Sequence, residues 1–236
     1  MKSSNVLRIG FLNIGGLSPQ KNNFKDDSLR HGISAHDFDV FGLAKTNFDW
    51  HLVREEDRLY LRTKEWWESV HLSLTHNHTM TPIANKRWGG TALFSLNQAS
   101  HRVIDKGCDP TNLGRWCGAL YRGKNNHLLR VFSAYCPNPL QSVFSQHRLF
   151  LLPRHLFIKD LVKEVKKAQS KGEHTIIMLD GNFDMRQSMM ASSFHSANLR
   201  EAILHRHGAN GPSTFHRNTT NTPIDGIWVS SGISIL

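Results

Sequence analysis

Eight short, mostly apolar runs of six to eight residues recur along the chain, bounded by Gly, Pro, Asn or Asp, and this pattern predicts buried strands rather than helices. They fall at 7–13, 38–44, 69–74, 90–96, 116–122, 128–135, 174–180 and 224–230. A helical stretch runs from Val143 to Lys171, between the sixth and seventh strands. Pro153 is expected to break or kink it, since proline offers no backbone N–H. Its end, Leu161-Val-Lys-Glu-Val-Lys-Lys-Ala, is amphipathic and closes at Gly172. Lys163, Lys166, Lys167 and Lys171 read as its solvated face. Phe194 to His207 reads as another helix, ended by Gly208. Apart from the strand at 69–74, residues 51–89 carry no pattern that assigns them. Alternating strands and helices predict one α/β domain over residues 1–236, built as a two-sheet sandwich.

Three of these strands deliver a polar group where an apolar run ends. Thr175-Ile-Ile-Met-Leu-Asp-Gly-Asn stops at Asp180 and Asn182, and residues two apart in an extended chain point the same way. A carboxylate there binds a cation or activates water, and a carboxamide holds a phosphate oxygen. The structural alternative is an Asx turn capping a core strand. Leu7-Arg-Ile-Gly-Phe-Leu-Asn likewise ends in Asn13, and Thr222-Pro-Ile-Asp-Gly-Ile-Trp-Val embeds Asp225 among Ile, Trp and Val. An unpaired carboxylate in such a strand costs several kcal/mol unless charge or hydrogen bonds compensate it.

In this order the segments resemble the endonuclease/exonuclease/phosphatase superfamily, the DNase I-like fold of nucleases and of retroelement endonuclease domains. Phe11-Leu-Asn-Ile-Gly-Gly-Leu resembles the family opening, with Asn13 at its asparagine. Phe41-Gly-Leu-Ala-Lys-Thr-Asn stands at the strand end that carries the metal-binding glutamate, and Trp88-Gly-Gly-Thr-Ala-Leu-Phe is similar to the Gly-Gly strand. Ser133-Ala-Tyr-Cys-Pro-Asn, Leu179-Asp-Gly-Asn and Ile224-Asp-Gly-Ile-Trp-Val-Ser follow in turn. The resemblance implies a four-layer α/β sandwich and metal-assisted phosphodiester hydrolysis with Mg²⁺ or Mn²⁺. It implies that Asp180 orients or deprotonates water and that Asn182 and Asn13 hold phosphate oxygens or the metal shell. Tyr135 and Asn138 would brace the phosphate, and Asp225 would orient a catalytic histidine.

Two departures cut across that expectation. Lys45 stands at the metal glutamate, so an ammonium replaces a carboxylate. At ~4 Å and an effective dielectric near 20, each unit-charge interaction is worth about 4 kcal/mol, so attraction for a divalent cation becomes repulsion of similar size. The milder expectation is that the Lys45 ammonium takes the metal's place against Asp180 or another carboxylate. No Ser-Asp-His occurs in the 236 residues, and the chain ends at Leu236, soon after the Asp225 strand. The resemblance therefore leads us to expect a C-terminally incomplete copy, without the closing strand and its histidine. A non-catalytic nucleic-acid-binding remnant is the alternative function.

Composition adds a partner class. Twenty-nine Lys and Arg against 19 Asp and Glu give a net charge of +10, which favours polyanions, and with this fold nucleic acid, DNA ahead of RNA. Cys108, Cys117 and Cys136 are odd in number and lack paired spacing, which argues against a disulfide framework or zinc knuckle. His71, His76 and His78 around Asn77 read as a polar surface loop rather than a metal site. Trp66-Trp67, Arg87-Trp88 and Arg115-Trp116 are read as packing, with base stacking the alternative. No apolar run approaches a membrane span, so the expectation is an intracellular domain, the nucleus included, with no membrane partner.

Overall fold

The chain builds two stacked β-sheets, each covered on its outer face by helices. The computed structural model describes residues 6–78, 87–137, 153–217 and 220–236. The smaller sheet has the order β1-β2-β4-β3 and comprises β1 (Ile9–Asn13), β2 (Val40–Ala44), β3 (Val70–Thr75) and β4 (Thr91–Leu96). The larger has the order β5-β6-β7-β8-β12-β9. Its strands are β5 (Val103–Cys108), β6 (Trp116–Arg122), β7 (Leu128–Tyr135), β8 (Glu173–Asp180), β9 (Leu199–Glu201) and β12 (Asp225–Ser230). A separate hairpin pairs β10 (Phe215–Arg217) with β11 (Thr220–Thr222). The helices are α1 (Phe24–Ala35), α2 (Leu59–Trp66), the single turn α3 (Asn97–Ser100), α4 (Pro153–Gln169), α5 (Met189–Ser196) and α6 (Ala202–His207). Among the described residues no helix is long and apolar enough to cross a membrane.

Three cores follow from this layering. Val40, Leu93, Cys117, Val131, Met178 and Val229 fill the space between the sheets. Ile33, Leu43, Leu59 and Phe94 pack α1 and α2 on the small sheet, while Phe157, Leu161, Ile177 and Phe194 pack α4 and α5 on the large one. β2 and β8 are covered on both faces, which is why both read as continuous apolar runs rather than alternating ones. Gly42 lets the sheets close up: a Cβ there would sit 2.8 Å from Met178 and 3.0 Å from the Ser133 hydroxyl.

All eight expected strands are present, within two residues at either end. α4 begins at Pro153, a favoured first helical position, and stops short of Gly172, whose φ is +75°. The part of the expected Val143–Lys171 helix before Pro153 that falls at 143–152 lies outside the described residues. The single helix expected over Phe194–His207 is corrected. Asn198 takes φ +56°, Leu199–Glu201 adds to β12 as an edge strand, and a new helix starts at Ala202. Glu201 makes that break hold, because its carboxylate accepts from Leu204 N and, across the ladder, from Ile227 N at 2.8 Å. Residues 51–89, unassigned from pattern, contain α2. Arg62 is fully buried beneath it, donating to the backbone oxygens of Asp57, Ser18 and Pro19 and to the Asp26 carboxylate at 3.1 Å.

Candidate functional site

The C-terminal ends of β1, β2, β7 and β8 and the start of β12 meet at one end of the sandwich. Tyr135, Asp180 and Asp225 are in register on three adjacent strands, since β7 pairs Tyr135 with Asp180 and β12 pairs Asp225 with the same residue. From the facing sheet, Asn13 at the end of β1 donates Nδ2 to Asp180 Oδ2 at 2.8 Å. Lys45, just past β2, places Nζ 2.8 Å from that same oxygen. Its ammonium lies over the Tyr135 ring, 5.1 Å from the centroid, and 3.5 Å from Asn182 Oδ1. The residues singled out from sequence thus converge, with Asn138 outside the described residues.

Backbone conformation aims two of these side chains. Lys45 and Asn182 both adopt left-handed φ, +58° and +52°, where non-glycine residues are uncommon and turns at strand ends redirect the chain. Asn182 is also pinned by Nδ2 donating to Cys136 O at 2.8 Å, and its carbonyl accepts from Arg154 Nη2 at 3.0 Å. The turn after Lys45 is held by a strap: Thr46 N donates to Gly90 O and Asn47 N to Gly89 O, while Asn47 Oδ1 accepts from Gly89 N. A side chain at Gly90, with φ +81°, would meet Thr46 Oγ1 at 2.5 Å.

The carboxylates are unequal. Asp180 is fully buried; burial pushes its carboxyl up, against the pull of Lys45. Asp225 is half-buried, and burial, then the neighbouring Asp180 charge, raise its carboxyl to about 6 despite Thr214 and Lys45. Thr214 Oγ1 accepts from the backbone of both Ile224 and Asp225 at 3.0 Å. Asp180 Oδ1 and Asp225 Oδ1 are buried with no hydrogen-bond partner.

Those two unpaired oxygens are where a divalent cation would have to reach, but the donor set does not suit one. The ammonium of Lys45 occupies the approach to Asp180 and repels a cation at the same range. Among the described residues no group of three or more His, Cys, Asp or Glu is placed to hold a metal ion. The arrangement is instead a buried lysine–carboxylate pair flanked by amides, a phenol ring and Arg154.

Sequence reasoning missed Arg154 and Thr214, which lack a motif and reach the site through folding. It also misread one histidine group. His76 is 4% exposed rather than on a surface loop, 3.0 Å from Asp49 and in tilted contact with His78 at 3.9 Å between ring centroids. Asp49 also meets Arg87 at 3.1 Å, and burial drives the His76 imidazole down to about 4, so it is neutral. Trp116 is core packing at 1% exposure, and Arg115 beside it is bound by Asp109 and Asp160.

No family model and no curated protein matches the chain in sequence. Solved structures do match in shape. The 3′-5′ exonuclease NExo from Neisseria meningitidis superposes with a TM-score of 0.65 at 15% identity, over 94% of this chain and 86% of that one. An AP endonuclease from Archaeoglobus fulgidus gives 0.66 at 12% identity, over 95% and 87%. An endonuclease/exonuclease/phosphatase family protein from Leptotrichia buccalis gives 0.62 at 14%, over 96% and 88%. The chain has the fold of the endonuclease/exonuclease/phosphatase proteins, the two-sheet α/β sandwich expected from its motifs.

Proposed function

We propose that this chain is an endonuclease/exonuclease/phosphatase-type protein that binds the phosphodiester backbone of nucleic acid without a divalent cation and hydrolyses it poorly or not at all. The observation that carries the reading is the 2.8 Å contact of Lys45 Nζ with Asp180 Oδ2, where the family resemblance puts a glutamate and its metal. The ammonium supplies one positive charge where a cation would supply two, and it cannot lower the pKa of a bound water as a metal does. Asn13 and Asn182 keep amide groups around the same point, and Arg154 adds a second cation beside Asn182.

Nucleic acid is the ligand that charge favours, at +10 over the chain. Among structures of similar fold, a Neisseria 3′ phosphatase NExo is bound to a product DNA hairpin, which makes DNA the first ligand to test. The test pairs fluorescence anisotropy on a short DNA duplex with nicking of supercoiled plasmid, each with Mg²⁺, with Mn²⁺ and with chelator. Binding should be the same in all three, and nicking should be absent. Metal-dependent nicking that Asp180→Ala abolishes would overturn the reading.

A further inference from the structure

Cys108 and Cys117 face each other across the β5–β6 ladder, one exposed and the other buried between the sheets. Asp109 N donates to Trp116 O at 2.9 Å one step further along. Bonded and non-bonded pairs alternate in an antiparallel ladder, so Cys108 and Cys117 form a non-hydrogen-bonded pair, the type whose Cα atoms lie about 4.5 Å apart with side chains closest. That spacing falls inside the Cα range of about 4.4–6.8 Å over which a disulfide closes without moving the backbone. Both cysteines carry free thiols.

The approach to Cys108 has a chemical character of its own. It lines a groove of about 520 Å³ at the flank of the sandwich, between the edge strands β3 and β5. Arg58 and Lys106 line the same groove, so it favours an anionic reagent.

We propose that Cys108 and Cys117 are a cross-strand thiol pair that a small anionic disulfide of the glutathione class oxidises to an intramolecular disulfide, with Cys108 as the point of entry. The Cys108 thiolate attacks one sulfur of the reagent, whose S–S bond breaks and releases one half as a thiol after proton uptake. The Cys117 thiolate then attacks Cys108 Sγ and expels the second half. Two protein thiols are oxidised and one reagent disulfide is reduced to two thiols. In the second step Cys117 gives up its 3.4 Å contact with Ser73 O. Burial pushes the Cys117 thiol up to about 12, so this step is the slow one and accelerates as pH rises.

The experiment treats the folded protein with oxidised glutathione at neutral and mildly alkaline pH, then maps cysteines by mass spectrometry of a non-reducing digest. Wild type should first gain one glutathionyl group on Cys108 and then lose it to a Cys108–Cys117 linked peptide, faster at the higher pH. Cys117→Ala should stop at the mixed disulfide, and Cys108→Ser should give neither product. Cys136, buried beneath α4, should stay free. Should Cys117→Ala not fold, trapping the wild-type mixed disulfide by acid quench and following its conversion replaces it. A mixed disulfide on folded wild type that never converts, a link between two molecules, or first modification at Cys136 would each overturn the pairing.

Discussion

Asp225 stands directly across the ladder from Asp180, and each carboxylate keeps a buried oxygen that no donor reaches. Like charges in opposed positions on neighbouring strands repel. Burial first, and this repulsion second, raise the Asp225 carboxyl from 3.8 to about 6. An acid whose folded pKa exceeds its unfolded one binds its proton more tightly in the folded state. Its contribution is therefore full below the unfolded value and is lost as pH rises through about 6. Asp225→Asn should stabilise the protein by about 1–2 kcal/mol near pH 8, allowing for the partial exposure of the group, and by little near pH 4. Urea unfolding at the two pH values checks it, and an equal shift at both would remove the electrostatic cause.

Lys45→Ala should be costly in a different way. It leaves Asp180, which has no solvent exposure, with Asn13 Nδ2 and the Asn182 backbone N–H as its donors and no cation. Breaking a buried pair on one side costs about 3–5 kcal/mol, mostly the penalty of the stranded charge. Lys45→Ala with Asp180→Asn should recover much of that loss. A double-mutant cycle in which the two losses simply add would show that the pair is not coupled.

Binding of a DNA duplex should depend on salt and acid rather than on divalent ions. With several phosphates neutralised, affinity should drop by roughly 100-fold or more between about 50 and 200 mM salt. At the site the Lys45 ammonium faces Asp180 and Arg154 stands beside Asn182, so protonating Asp225 removes a negative charge as pH falls through about 6. Surface histidines act in the same direction, and Asp225→Asn separates the two by removing only the site's share. Anisotropy titrations of wild type and Asp225→Asn across pH and salt decide it. Binding indifferent to salt would exclude phosphate contacts as its source.

Arg62 anchors the segment that follows the Asn13 strand. Its guanidinium donates to Ser18 O at 2.9 Å, Pro19 O at 2.7 Å and Asp57 O at 2.6 Å while pairing with Asp26. Arg62→Ala should destabilise the fold by about 3–5 kcal/mol, since it strands the Asp26 carboxylate and three carbonyls. Arg62→Lys should recover only part of this, because one ammonium cannot span the fork's directions. Thermal denaturation of both variants measures it, and equal stability for Lys and Ala would show that the ionic contact contributes nothing.

The strands over β2 and β8 were legible because sheets covered on both faces demand unbroken apolar runs, and such runs survive any change of tertiary context. β5 was not, since as an exposed edge strand it carries Asp105, Lys106 and Gly107 and no hydrophobic signature. The break at Asn198 was hidden for another reason: Glu201 creates it by bonding Ile227, a residue 26 positions away. At the site, Asn13, Asp180, Asn182 and Asp225 were visible because polar groups in apolar strands or at their ends stand out, while Lys45 and Tyr135 were found through the family resemblance. Arg154 was not, being one more basic residue in a basic helix until Asn182 O comes within 3.0 Å.

Asn13 reaches Asp180 across 167 positions of sequence. Contacts of such separation are made only after long loops have closed, which places them among the slow events of folding. The cluster at the mouth of the two sheets can therefore assemble only after both sheets have formed and docked. A probe that reads the Lys45–Asp180 pair would time the final closure of the chain rather than the growth of any single sheet.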